Sequence, residues 1–315
     1  MCQEPAKAYL RRAALTMVGY VTIQHRTIAA NGLKFGILEA GSGPLALCLH
    51  GFPDTARTWR HLLPELGAAG YHAVAPFLRG YAPTSIPEDG AYQVGALVAD
   101  ANALHAALGA DGSAVLVGHD WGAFAAYGAG SLAPERWRRI VAMSVPPPAA
   151  MASSMTSYDQ VKRSFYIFMF QSPRAETIVG GNGMAFFDRL WQDWAPGYDA
   201  AEDVSAVKGS LANPARLSAA IGYYRAMANP AIHLPRYSQE QRALGKITPQ
   251  PVLYLHGEDD GSLRVDSAET VAVQMSSASR VELLPGVGHF PHLEQPAKVN
   301  EKIISWLGAK TVPNR

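Results

Sequence analysis

The chain has 315 residues, 48% apolar and 17% charged, with a formal net charge of +1. These values exclude a disordered chain and leave no charge field for nucleic acid or an anionic membrane surface. The length suits two ordinary domains or one α/β domain carrying an insertion.

Arg11 and Arg12 precede the apolar stretch "AALTMVGYVTI", a faint likeness to a signal peptide. Thr16, Gly19, Tyr20 and Thr22 interrupt it, and no small-x-small cleavage site follows. A cytoplasmic location is the expectation. No apolar run has the length of a membrane span. The two cysteines, Cys2 and Cys48, suggest neither a disulfide framework nor a zinc site. Cys48 lies in an apolar run and reads as a buried thiol.

Residues Val21 to Ala40 alternate as a β-hairpin around Asn31-Gly32. "PLALCLHG" is a continuous apolar strand, as expected in a parallel sheet. A helix is predicted from about Thr55 to Ala69. "YHAVAPF" is the next strand, "QVGALVADANALHAALG" a helix, "SAVLVG" a strand, "WGAFAAYGAGSLAPE" a helix and "RRIVAMSV" a strand. This β-α rhythm specifies a mostly parallel, doubly wound α/β sheet. It stops at Pro146-Pro147-Pro148. As far as about Pro235 the pattern is helical and rich in Met, Phe, Tyr and Trp. It resumes with "PQPVLYLHG", a helix from about Asp266 to Met275, the strand "RVELLPG" and a helix near Ala297 to Leu307. The expected organisation is a core over 17–147 and 237–310, with a helical cap inserted at 148–236. The cap would cover the strand ends, where open α/β sheets bind ligands.

"VLVGHDWGAFAAY" places Asp120 between Gly118 and Gly122 at a strand-to-helix turn. Small-x-nucleophile-x-small is the pattern of a nucleophile elbow, whose middle residue is strained and points out above the sheet. Alone, the pattern equally suits an aspartate that N-caps a helix. Downstream residues separate the two. Such folds run nucleophile, acid, histidine. "LYLHGEDDG" offers Asp260 as the acid, with Asp259 as its rival. "GVGHFPH" offers His289 as the base, with His292 nearby.

"HGFP", "RGY", "GHDWGA", "HGEDD" and "GHFPHLEQP" together resemble an α/β-hydrolase with a helical cap, most closely the epoxide hydrolases of that superfamily. The resemblance spans nearly the whole core. It implies an oxyanion hole from the backbone N–H groups of Phe52 and Trp121. It implies two cap tyrosines that donate to the leaving oxygen. Tyr166, followed by Phe170-Gln171, and Tyr224, before Arg225, stand in matching contexts. Tyr223 is the alternate. His50, Pro53, Phe170, Trp191 and Trp194 are expected in the substrate pocket. Ala82-Pro83-Thr84 departs from the more usual Gly-x-Ser and could alter substrate fit.

A carboxylate attacks saturated carbon better than a carbonyl. Asp120 would open an epoxide to an alkyl ester, and water activated by His289 and Asp260 would hydrolyse it to a vicinal diol. The alternative is a haloalkane dehalogenase, with the indoles of Trp121 and of Trp191 or Trp194 holding halide. Against it, Phe52 and Trp121 stand where dehalogenases usually carry other residues. A third reading is a non-catalytic small-ligand binder of the same fold. No phosphate loop, Rossmann fingerprint or metal-spaced cluster occurs, so neither cofactor nor metal is expected. "GGNG" at Gly180 to Gly183 reads as a cap loop. The expected partner is a small-molecule epoxide, with no nucleic acid or membrane, and the protein is expected to be a monomer or a homodimer.

Overall fold

The computed structural model describes residues 21–264 and 268–308. The predicted core start at 17, its end at 310, the helix start at 266 and Cys2 lie outside the described residues.

The hairpin forms as β1 (Gln24–Ala30) and β2 (Leu33–Ala40). Asn31 and Gly32 both take positive φ, 44° and 72°, as a two-residue hairpin turn requires. Next come β3 (Leu45–Leu49), α1 (Leu62–Ala68), β4 (His72–Pro76), α2 (Val94–Ala107), β5 (Ala114–His119), α3 (Trp121–Leu132) and β6 (Trp137–Met143). The single helix expected from Thr55 divides into a 3₁₀ turn, Ala56–Arg60, and α1, with His61 between them.

The helical stretch after β6 comprises α4 (Pro148–Ser154), α5 (Tyr158–Arg163), α6 (Phe165–Met169), α7 (Ala175–Trp194), α8 (Ala201–Leu211), α9 (Pro214–Ala228) and α10 (Ser238–Ala243). The glycine run separates two helical segments within α7, as expected of a loop. Asn182, Gly183 and Met184 are left-handed there, with φ of 49°, 62° and 59°. The core resumes with β7 (Val252–Gly257), α11 (Ala268–Ala272), β8 (Arg280–Leu284), α12 (Pro291–Glu294) and α13 (Pro296–Leu307).

The eight strands lie in the order β1-β2-β4-β3-β5-β6-β7-β8. β2 runs antiparallel to both β1 and β4, and the remaining pairs are parallel. β3, β5 and β7 are buried at every position, which explains their unbroken apolar sequences. Their carboxyl ends open on one edge of the sheet. His50-Gly51-Phe52 follows β3, Asp120 follows β5 and Asp260 follows β7.

The cap is tied to this edge by polar side chains. Arg60 forks onto Asp203 of α8 at 2.6 and 3.1 Å. Gln160 of α5 donates to the Ser262 carbonyl at 2.8 Å and accepts from the Arg264 N–H at 2.9 Å. The Tyr223 hydroxyl of α9 donates to the Arg79 carbonyl at 2.8 Å. Arg79 is buried and paired bidentately with Asp100 at 2.6 and 2.7 Å. A lone charge there would be costly, and the pair removes that cost.

Candidate active site

Asp120 takes φ 52° and ψ −116°, a strained conformation for a residue with a side chain. Its carboxylate makes no capping bond to the second or third N–H of α3, as a side-chain N-cap would. The glycines are sterically required. A Cβ on Gly118 would collide with the Gly122 carbonyl, one on Gly122 with the Leu49 carbonyl, and one on Gly51 with the Asp120 carboxylate. Tight contact between β3, β5 and α3 therefore holds the Asp120 side chain at the sheet edge.

The two carboxylate oxygens have different surroundings. Oδ1 accepts the Phe52 N–H at 2.7 Å, and the Trp121 N–H is a second backbone donor to this carboxylate. Oδ2 lies 3.8 Å from Nε2 of His289. That nitrogen is buried and has no hydrogen-bond partner. Nδ1 of His289 is 2.8 Å from Oδ2 of Asp260. The other Asp260 oxygen accepts the N–H groups of Ser262 and Leu263 at 2.7 and 3.0 Å. Asp259 is exposed and turned away from this group.

Burial pushes the Asp120 carboxyl above the ordinary aspartate range, against the pull of His289 and the two N–H donors. Burial would lower the His289 imidazolium. The adjacent Asp260 carboxylate, with Asp120 also contributing, reverses this and raises it. Asp260 is disfavoured as an anion by burial, yet His289 brings it below its usual value.

Tyr166 and Tyr224 face the same space, with ring centres 5.4 Å apart. The Tyr166 hydroxyl is 3.3 Å from Ser262 Oγ, and the Tyr224 hydroxyl is buried without a partner. Burial raises both phenols above their ordinary value, so both are protonated at neutral pH. Tyr223 points the other way, bonded to Arg79 and stacked on Tyr92.

A cavity adjoins Asp120, with Trp121, Tyr166, Tyr224 and Ser262 at its polar end. Phe124, Met151, Met155 and Met227 contribute its apolar wall. The five residues expected to line the pocket are absent from this wall. His50 is a loop brace: its Nδ1 meets the Gly51 carbonyl and its Nε2 accepts the Leu78 N–H. Trp191 Nε1 donates to the Pro53 carbonyl at 2.9 Å, and its ring stacks on Phe290 at 3.7 Å. That occupies the Trp191 N–H and removes it as an anion donor. Phe170 packs behind the tyrosines against Phe52. Trp194 packs between Tyr166 and His289. The wall methionines escaped notice because cap helix faces cannot be assigned before the cap is docked.

One buried group was not anticipated at all. Asp54, His119 and His292 converge, with one ligand-type atom of each within 4.8 Å of the others. His119 and His292 belong to motifs quoted above and Asp54 follows another, but the three are far apart in sequence.

A profile described as "Alpha/beta hydrolase family" matches residues 46–302. An "Epoxide hydrolase" of Caballeronia sordidicola is 28% identical, over 90% of this chain and 94% of that one. "Epoxide hydrolase A" of Mycobacterium tuberculosis (strain ATCC 25618 / H37Rv) is 29% identical, over 90% and 96%. The crystal structure of Epoxide Hydrolase A from Mycobacterium thermoresistibile superposes with a TM-score of 0.75 at 28% identity, covering 91% of this chain and 98% of that one.

Proposed function

Since the chain belongs to the alpha/beta hydrolase family, we propose that it hydrolyses epoxides to vicinal diols through an ester on Asp120. The observation that carries this reading is the division of labour within one carboxylate. Oδ1 is held by backbone N–H groups while Oδ2 faces His289 and the space beneath two protonated tyrosines.

In this reading Oδ2 attacks an epoxide carbon and the C–O bond of the ring breaks. The alkoxide takes a proton from Tyr166 or Tyr224, leaving an alkyl ester of Asp120. His289 then removes a proton from water, which adds to the carboxyl carbon. Negative charge develops on Oδ1, where the Phe52 and Trp121 N–H groups already point. Collapse expels the diol oxygen, which takes the proton from His289. The proton on the regenerated carboxyl returns to the tyrosinate. Asp260 holds the imidazole and stabilises its charged form. Residues 148–236 act as the cap that supplies the tyrosines, while α10 stays with the core through Gln241, which accepts the Gly95 N–H.

Trp121 lines the cavity beside Asp120, and its indole N–H favours halide release as a second reading. One experiment separates the two. Purified protein is offered terminal and internal epoxides and, separately, haloalkanes. Diol is read by mass spectrometry and halide by ion detection. Diol without halide is expected; halide without diol would transfer the assignment to dehalogenation. Asp120→Ala should abolish either activity. His289→Gln should arrest the second step and leave the intact protein heavier by the substrate mass. Normal turnover of that variant would remove His289 from the mechanism.

A further inference from the structure

We propose that Asp54, His119 and His292 form a buried brace that holds one water molecule and, through His119, fixes the main chain of His289. Its kinetic consequence rests on the ester mechanism above; its structure does not.

The three residues are 1% exposed or less. Each carries a buried atom with no hydrogen-bond partner: Asp54 Oδ2, His119 Nδ1 and His292 Nδ1. Such atoms are costly unless something satisfies them. The tautomers narrow what that can be. His119 Nε2 is 2.7 Å from the His289 carbonyl, which only accepts, so Nε2 carries the proton and Nδ1 is a bare lone pair. His292 Nε2 is 2.5 Å from the Thr58 hydroxyl, and in the proposed arrangement the single proton of that hydroxyl is directed to Asp54. His292 therefore donates from Nε2, and its Nδ1 is bare as well. The other Asp54 oxygen accepts the Thr55 N–H at 2.7 Å. Burial, with the Asp203 charge assisting, pushes the Asp54 carboxyl up to about 8, and the proposed arrangement places its proton on Oδ2.

The set thus offers one donor and two acceptors. One water accepts from Asp54 and donates to both imidazoles, and every polar atom is met. The spacing admits a water: groups about 2.8 Å from one at tetrahedral angles stand roughly 4.6 Å apart, and one ligand-type atom of each residue lies within 4.8 Å of the others. His119 is the working end. Its N–H and the Ser144 hydroxyl, each at 2.7 Å, converge on the His289 carbonyl. His119, Ser144 and the water-held trio are positioning groups; none is placed to touch substrate.

The test has a structural arm and a kinetic arm. In ¹⁵N-histidine NMR of the wild-type protein, His119 and His292 should each be protonated at Nε2 only. A crystal structure should show one water among the three residues, and elemental analysis no stoichiometric divalent metal. A protonated Nδ1 on His119, or a bound metal, would overturn the proposal. His119→Leu should slow ester hydrolysis about tenfold or more while the alkylation rate stays within about twofold. His119→Gln, which can still donate to the carbonyl, should recover most of the loss. Equal hydrolysis rates in the Leu variant and the wild type would overturn the brace. If the wild type forms no ester with any epoxide or haloalkane, the Asp120 mechanism fails, and the NMR still decides the brace. The NMR also decides it if the Leu variant does not fold.

Discussion

His289 stands between two carboxylates, and alkylation would neutralise one of them. While Asp120 is free, its charge helps Asp260 raise the imidazole. Once Asp120 is an ester, that contribution goes and the imidazole more readily loses its proton, just when a base is needed. Below its pKa His289 is protonated and cannot act as the base. The hydrolysis phase should therefore lose rate as pH falls through the His289 pKa of the ester state, which lies below that of the free enzyme because the Asp120 charge is gone. The alkylation phase needs only ionised Asp120 and should persist to lower pH. Quench-flow single turnovers across this range would check it; a hydrolysis phase insensitive to pH would exclude His289 as the base. The tyrosines make a second residue-level test. The Tyr224 hydroxyl has Tyr166 and Trp121 beside it, and Tyr166 meets Ser262 at 3.3 Å. Replacing both with Phe should cost roughly 100-fold or more in epoxide opening while thermal melting stays near the wild-type value. Asp120, Asp260 and His289 were legible in the sequence because each follows a recognisable strand. Tyr223 and Tyr224 are adjacent on one helix, so only the docked cap distinguishes them.

The strand-turn-helix formed by β5 and α3 is where local sequence and tertiary contact agree most closely. Gly118 and Gly122 read as small residues flanking a sharp turn, and the structure adds the reason: β3 presses against that turn. Gly122→Ala would drive a methyl into the Leu49 carbonyl. Urea unfolding should show a loss of about 3 kcal/mol. An unchanged midpoint would mean that β3 can yield. Elsewhere, elements were less legible. The helix predicted from Thr55 gives way to a 3₁₀ turn in which the Thr55 hydroxyl caps Arg57. The glycine run read as a loop is a non-helical break between two helical segments of α7.

For the whole molecule, the question is how the cap stays on the core. Much of the connection is polar: Arg60 with Asp203, Gln160 with the Ser262 loop, and Tyr223 with Arg79. Asp203 has a side chain only 3% exposed, so it depends on its partner. Arg60→Met should destabilise the protein by roughly 2 kcal/mol. Hydrogen exchange should rise first in α8, with the central strands unaffected. Uniform exchange across cap and core would show that this pair does not anchor the cap. Among the described residues, no helix is long and apolar enough to cross a membrane.

The sequence by itself determined the α/β rhythm, the helical insertion and the order of Asp120, an acid at Asp259 or Asp260, and His289. These follow from short-range patterns: strand apolarity, glycine spacing and turn residues. Only the tertiary structure decided which of two neighbouring aspartates meets His289 and which of two neighbouring tyrosines faces Asp120. It alone decided that Trp191 is a packing residue and that Met151, Met155 and Met227 line the cavity. It alone brought Asp54, His119 and His292 together. Each of these depends on the direction of a side chain after distant segments pack, and adjacent residues on a helix or turn point different ways. The periodicity that reveals an element does not say what that element will meet.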